Sequence, residues 1–283
     1  MNASASVADS GTAPDFGLII IGDEILSGRR SDKHLPRVIE MLGQRGLSLA
    51  WSQFIGDDPR RITDLLRQTF AGTDVVFCCG GIGATPDDHT RQCAAAALGV
   101  DLALHPQARA LIEERMRDVA AEQGQTYEPD RPDNVHRLNM GVFPVGADII
   151  ANPYNKIPGF SCTGPGGARV HFVPGFPVMA WPMIESLLDG PCRPWHRLQP
   201  RQEKSVVVFG AMEATLTPLM LQIEQDHPVK VFSLPSVDHP VHGRHIELGV
   251  KGEPQAVAAA YNDLLAGLER HGARLGPEMV RNQ

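Results

Sequence analysis

The run Gly80-Gly81-Ile82-Gly83-Ala84-Thr85-Pro86-Asp87-Asp88-His89-Thr90 brings together three glycines, two hydroxyls and two carboxylates. Glycines between a strand and a helix let backbone N–H groups close on an anion, and the helix start adds a partial positive charge. Paired carboxylates beside such a cradle can hold a divalent cation. The same residue types recur at Gly22-Asp23-Glu24 with Ser27-Gly28, at Gly56-Asp57-Asp58, and at Pro174-Gly175-Phe176-Pro177. Together they suit a pyrophosphate held by N–H groups, its charge offset by a carboxylate-bound ion.

Simpler readings exist for each motif. Glycines after a strand often make only a turn, and the spacing here is neither the dinucleotide G-x-G-x-x-G nor a Walker loop. Asp58 before Pro59 has the form of a helix N-cap, and Asp87 or Asp88 could cap a helix that starts near Thr90. Asp23 and Glu24 could be solvated loop acids. His239, His242 and His245 have metal-like spacing, but Pro240 and Gly243 between them favour a hairpin. The cysteines lie in apolar settings that raise a thiol pKa, which argues against a nucleophile.

Each motif follows an apolar run of strand length: Leu18 to Ile21, Leu47 to Ile55, Val75 to Cys79 and Val170 to Val173. Helical spacing fills the intervals, through Leu35, Val38, Ile39 and Leu42, then Ile62, Leu65, Leu66 and Phe70, then Gln92 to Leu98, Pro106 to Gln123, and Val178 to Leu188. This alternation predicts an α/β fold: a three-layer, mostly parallel sheet with helices on both faces. Such a sheet binds ligands at the carboxyl ends of its strands, where the four motifs converge. Expected boundaries are a tail at 1–14, the α/β domain at 15–188 and a proline-rich linker at 189–204. A small α+β domain (βαββα) follows at 205–270, with a second tail at 271–283. The polar stretch Gly124 to Arg137 and the loop Asn152 to Phe160 are read as surface segments.

A formal charge of −7 with 42% hydrophobic and 21% charged residues argues against nucleic acid or an anionic membrane as partner. No window is long and apolar enough for a membrane span, and the N-terminus does not read as a signal peptide. Five cysteines without C-x-x-C spacing fit a reducing cytoplasm.

The four motifs, in this order, resemble the molybdopterin-binding domain of molybdenum-cofactor biosynthesis proteins. The similarity is greatest to the branch found in the N-terminal part of competence/damage-inducible protein A. It covers about residues 16 to 188, and Val206 to Leu268 resembles the small domain that follows in that branch. The resemblance implies a homo-oligomer, dimer or trimer, with Asp57 and Asp88 at the positions of two important aspartates. It also implies ADP-ribose pyrophosphatase activity dependent on Mg²⁺ or Co²⁺, possibly with K⁺, and molybdopterin as a possible ligand. Nothing in the chain resembles the deamidase domain of the longer proteins, so nicotinamide-nucleotide deamidation is not expected. Ala84 stands where the family often has proline, and His89 is also unusual.

The site expected from both lines has Asp57 and Asp88 as catalytic residues and Asp57, Asp88 and Glu24 as metal ligands. Gly22, Asp23, Ser27, Gly28, Gly80, Gly81, Gly83, Thr85, Thr90, Pro174 and Gly175 bind the nucleotide or pterin. Three functions are compatible: hydrolysis of an ADP-ribose-type pyrophosphate, adenylyl transfer to molybdopterin, and non-catalytic binding of a pterin or nucleotide.

Overall fold

The computed structural model describes residues 14–196 and 201–282, which fall into two compact units. The expected tail at 1–14 lies, except for Pro14, outside the described residues. The first unit runs β1 (Phe16–Ile21), α1 (Asp23–Leu26), α2 (His34–Gly43), β2 (Leu49–Ile55), α3 (Pro59–Ala71), β3 (Val75–Cys79) and α4 (Thr90–Leu98). It continues with β4 (Leu102–Leu104), α5 (Pro106–Glu122), α6 (Pro132–Arg137), β5 (Val142–Pro144), β6 (Asp148–Ile150), β7 (Gly159–Thr163), β8 (Arg169–Val173) and α7 (Pro177–Asp189).

Six of these strands form one sheet in the order β2-β1-β3-β8-β7-β6. The first four are parallel, while β7 and β6 return antiparallel. β1 and β3 are buried along their whole length, because helices cover both faces. Alternation sends Leu18, Ile20, Phe77 and Cys79 toward α2 and α7, where Val38, Met41, Met183 and Ile184 meet them. Ile19, Ile21, Val76 and Cys78 face α3 and α4, against Ile62, Leu66, Phe70 and Ala94. This is the three-layer α/β arrangement that the sequence pattern predicts. All five cysteines are free and buried, and burial pushes the Cys162 and Cys192 thiols up to about 12.

The short strands β4 to β7 were not legible in the sequence. They are three to five residues long, and β7 begins inside the segment read as a loop. Long-range stacking supplies what local pattern lacks. Phe143, Phe160 and Phe172 stack with centroids 4.6 and 4.4 Å apart, each ring contributing about 2 kcal/mol on burial. The expected linker at 189–204 is also largely structured where it is described. Cys192 is buried, Trp195 packs edge-on against Phe16 at 6.3 Å, and strand pairing resumes at Gln202. Residues 197–200 lie outside the described residues.

The second unit contains β9 (Gln202–Phe209), α8 (Glu213–Asp226), β10 (Lys230–His239), β11 (Gly243–Gly252), α9 (Pro254–Arg270) and β12 (Arg274–Asn282). Its antiparallel sheet has the order β10-β11-β9-β12. One face packs Val206, Val208, Leu248 and Val250 against Leu216, Leu219, Tyr261, Leu264 and Leu268 of the helices. The tail expected at 271–283 is instead, through Asn282, mostly the strand β12. Gly276-Pro277 breaks its local pattern, and pairing with the free edge of β9 overrides that break.

His171 on β8 is buried in the first unit. Its Nδ1 lies 2.7 Å from the Ser161 hydroxyl, its ring stacks on Phe77, and its Nε2 has no partner among the described residues. Burial pulls its pKa down from 6.5 to about 4, and Arg169 adds to the shift. The folded chain therefore keeps the ring neutral while the unfolded chain protonates it below pH 6.5. Stability is lost as pH falls from 6.5, and the loss is complete near 4, amounting to about 3 kcal/mol. Urea titrations of the wild type and His171→Gln at stepped pH should diverge across that window. Parallel profiles would show that His171 has no part in the acid sensitivity.

Candidate functional site

The parallel strands β2, β1, β3 and β8 all end on one edge, and their next residues extend the pairing. Gly22 N–H donates to the Ile55 carbonyl and Gly80 N–H to the Val173 carbonyl, each at 3.0 Å. A cavity of about 410 Å³ opens there. It is bordered by Gly22 and Glu24 after β1, Asp57 after β2, Gly80 to Asp88 after β3, and Pro174 to Phe176 after β8.

The crest after β3 is built by close approach. Gly80 and Gly81 have φ of +111° and +68°. A Cβ on Gly80 would sit 2.3 Å from the Ile21 carbonyl oxygen, and one on Gly81 would sit 2.1 Å from the Thr90 hydroxyl. Only glycine fits both the conformation and the space. The crest carbonyls are held from behind. Thr90 Oγ1 donates to Gly80 O at 3.1 Å, Thr90 N–H to Gly81 O at 3.0 Å, and Arg91 Nη2 to Gly83 O at 2.6 Å. On the neighbouring loop, His34 Nε2 donates to Gly175 O at 3.0 Å. None of these peptides is cis, so each following N–H points the opposite way. Gly81, Ile82, Ala84 and Phe176 thus present amides that donate to no other atom among the described residues, and all four line the cavity.

Acids gather after β1 and β2 and again at the end of the crest. Asp23 N–H donates to Asp57 Oδ2 at 2.9 Å, and Asp57 N–H returns a bond to Asp23 Oδ1 at 3.2 Å. Burial raises the Asp57 pKa above the ordinary carboxylate value, as do Asp23, Glu24 and Asp87, against the opposing pull of the Asp23 N–H. Asp88 Oδ2 accepts from Thr85 N–H at 2.8 Å, and the Thr85 hydroxyl is shared between Asp87 and Asp88 at 2.5 Å each. Neither acid caps α4, whose N-cap is His89 without a side-chain bond. Asp58 does cap α3, through Arg60 and Arg61 N–H.

The structure thus brings Gly22, Glu24, Asp57, Gly80, Gly81, Gly83, Thr85, Asp88, Pro174 and Gly175 to one cavity. Four expected residues do not line it. Asp23 orients Asp57, and the Ser27 hydroxyl turns to the Glu24 carbonyl. Gly28 has open space around it, and Thr90 is fully buried behind the crest. Among the described residues no group of three His, Cys, Asp or Glu side chains is set to hold a metal by itself, including His239 and His242, which stack, and His245, edge-on to both. His239 Nδ1 instead closes the β10–β11 turn by accepting from Val241 and His242 N–H.

Sequence reasoning missed the far wall. Ile157, Pro158, Phe176 and Met179 make it apolar, with Asn152 and Asn155 beneath and Arg30 as a cation at the edge. Buried Asn152 ties the loop together through Asn155 Oδ1, Ile157 O and Tyr154 N–H. Lys156, at φ +64°, anchors the loop on Glu114 and Asp118 of α5. Asn152 and Asn155, on either side of Pro153, were the available signal, since asparagine readily bonds its own backbone in turns.

A family model described as "Probable molybdopterin binding domain" matches residues 17–194. A CinA-like protein of Anaeromyxobacter dehalogenans is 33% identical over 161 residues, covering 57% of this chain and 37% of that protein. A CinA-like protein of Mycobacterium tuberculosis is 28% identical over 278 residues, 93% of this chain and 61% of that one. The solved structure of CinA from Thermoplasma acidophilum, described as of unknown function, shares 26% identity at a TM-score of 0.52 and covers 62% of this chain and 97% of its own. The chain spans only 37% of the length of the first of these relatives. With the family match running through all four motifs, this chain belongs to the molybdopterin binding domain family.

Proposed function

We propose that the cavity binds a phosphate-bearing nucleotide or pterin and that the protein hydrolyses an ADP-ribose-type pyrophosphate with the help of a divalent cation. The observation that carries this reading is the row of amides at Gly81, Ile82, Ala84 and Phe176, unpartnered among the described residues, which share one cavity with a cluster of carboxylates. Amides fixed in advance suit the negative charge that grows on a phosphoryl oxygen during the reaction.

Two features support a cation. The crowding of Asp23, Glu24 and Asp87 around Asp57 is negative charge that a cation would relieve. A hard ion such as Mg²⁺ takes only one or two carboxylates and completes its shell with water and ligand phosphate, which fits a site lacking three preset ligands. One or two of Asp57, Asp88 and Glu24 would hold it directly and the rest through water, and it would polarise the phosphoryl group and acidify a bound water. Asp57 Oδ2 is engaged by Asp23 N–H, so Oδ1 is the oxygen that would take the water's proton where Asp57 reaches the ion through that water. The water oxygen bonds to phosphorus, the bridging P–O bond breaks, and AMP leaves with ribose phosphate. The apolar wall of Ile157, Pro158, Phe176 and Met179 would pack against the heterocycle. That wall suits a pterin ring equally, which keeps adenylyl transfer to molybdopterin as the second reading.

Purified protein with Mg²⁺ or Co²⁺ and K⁺ should release AMP from ADP-ribose. Binding without turnover would remove hydrolysis, and tight calorimetric binding of molybdopterin with ATP-dependent adenylylation would establish the second reading. Asp88→Asn should lower turnover on the order of a hundredfold while circular dichroism stays unchanged. A purely non-catalytic module would lose at most some affinity. Because the Asp57 pKa is raised, its ionised form is lost on acidification at a higher pH than for an ordinary aspartate. Cation binding, followed by calorimetry, should therefore weaken as pH drops through that raised value, and Asp57→Asn should abolish this dependence.

A further inference from the structure

We propose that Arg91 is the built-in positive charge of the crest and that its counter-ion is the phosphate of the bound ligand. This inference rests on the reading of the cavity as a phosphate site. Arg91 is the second residue of α4 and only 4% exposed. Among the described residues its guanidinium makes one hydrogen bond, from Nη2 to Gly83 O at 2.6 Å, and its Nε has no partner. It forms no ion pair among the described residues: burial disfavours its charged form and Asp88 is near enough to oppose that, but Asp88 Oδ2 is turned to Thr85.

A buried guanidinium with one neutral partner is costly for a fold to keep. Guanidinium stays protonated even there, so the charge is not avoided by releasing a proton. Its position explains why it is kept. Gly83 is part of the crest, and by holding the Gly83 carbonyl inward Arg91 turns the Ala84 N–H outward, toward the cavity. The charge lies behind those amides in a low-dielectric setting, on the same side as the positive end of α4. An anion seated on the amides would be the opposite charge that the side chain lacks. Arg91 does not itself border the cavity, so it acts through the Gly83–Ala84 peptide and through its field. It is a positioning residue.

The test uses inorganic pyrophosphate as probe, with affinity from calorimetry and the thermal midpoint measured with and without the anion. Arg91→Met should weaken pyrophosphate binding about tenfold or more, since one charge-assisted interaction is lost. Without anion it should melt at or above the wild type, because removing an unpaired buried charge relieves strain on the fold. Arg91→Lys keeps the charge and should retain most of the affinity. A folded Arg91→Met that binds pyrophosphate like the wild type overturns the proposal. So does Arg91→Met melting well below the wild type while Arg91→Lys loses the anion to the same degree, because that pattern marks simple packing. If Arg91→Met does not fold, Arg91→Lys decides alone: retained affinity supports the charge and lost affinity refutes it. Failure of the wild type to bind pyrophosphate is a separate outcome that removes the phosphate reading of the cavity as well.

Discussion

The site depends on how closely β3 ends against its neighbours. The chain leaves β3 through Gly80 and Gly81 within van der Waals range of the Ile21 carbonyl and the Thr90 hydroxyl, where no side chain can be accommodated. That approach lets Thr90 take the Gly80 and Gly81 carbonyls into its own hydrogen bonds. Once those carbonyls point inward, geometry sends the following amides outward. The cavity is thus polarised by its backbone, and side chains only refine it.

Charge is then divided across the opening. On the crest side stand outward amides, the start of α4 and a buried guanidinium. On the other side stand Glu24 and Asp57, while Asp87 and Asp88 sit at the end of the crest itself. Neighbouring acids of identical type serve different ends. Asp58 satisfies the first turn of α3, which leaves Asp57 to face the cavity and share reciprocal bonds with Asp23. Asp88 closes the crest turn on Thr85 N–H, while Asp87 takes only a share of the hydroxyl. The raised pKa of Asp57 comes first from burial and then from the carboxylates around it.

Much of this could be read from residue order. The apolar runs of β1 and β3 are short enough to be strands and too uniform to be half-exposed, so their burial between helices follows, whereas β2 at the sheet edge is left half-buried to exposed. Four Gly/Asp motifs after four such runs had to converge, because parallel strands in one sheet share an edge. The weak points were the segments whose structure comes from distant partners. β7 and β12 carry no clear alternation and exist because a neighbouring strand offers unpaired backbone groups. The loop around Asn152 looked like surface, yet its carboxamides and the Lys156 anchor make it a fixed wall of the cavity.

The residue types and their spacing alone determined the α/β class, the four loops that form the site and the acid pairs within them, because periodicity and glycine placement are local properties. Which atoms face the ligand was decided only by the tertiary structure. Thr90 went behind the crest, Asp58 went to a helix end, and Arg91 became buried with a single neutral partner. Those outcomes turn on which backbone donor or acceptor lies within about 3 Å in the folded chain. Such distances are set by the packing of α3, α4 and α7 on the sheet, which residue order alone does not display.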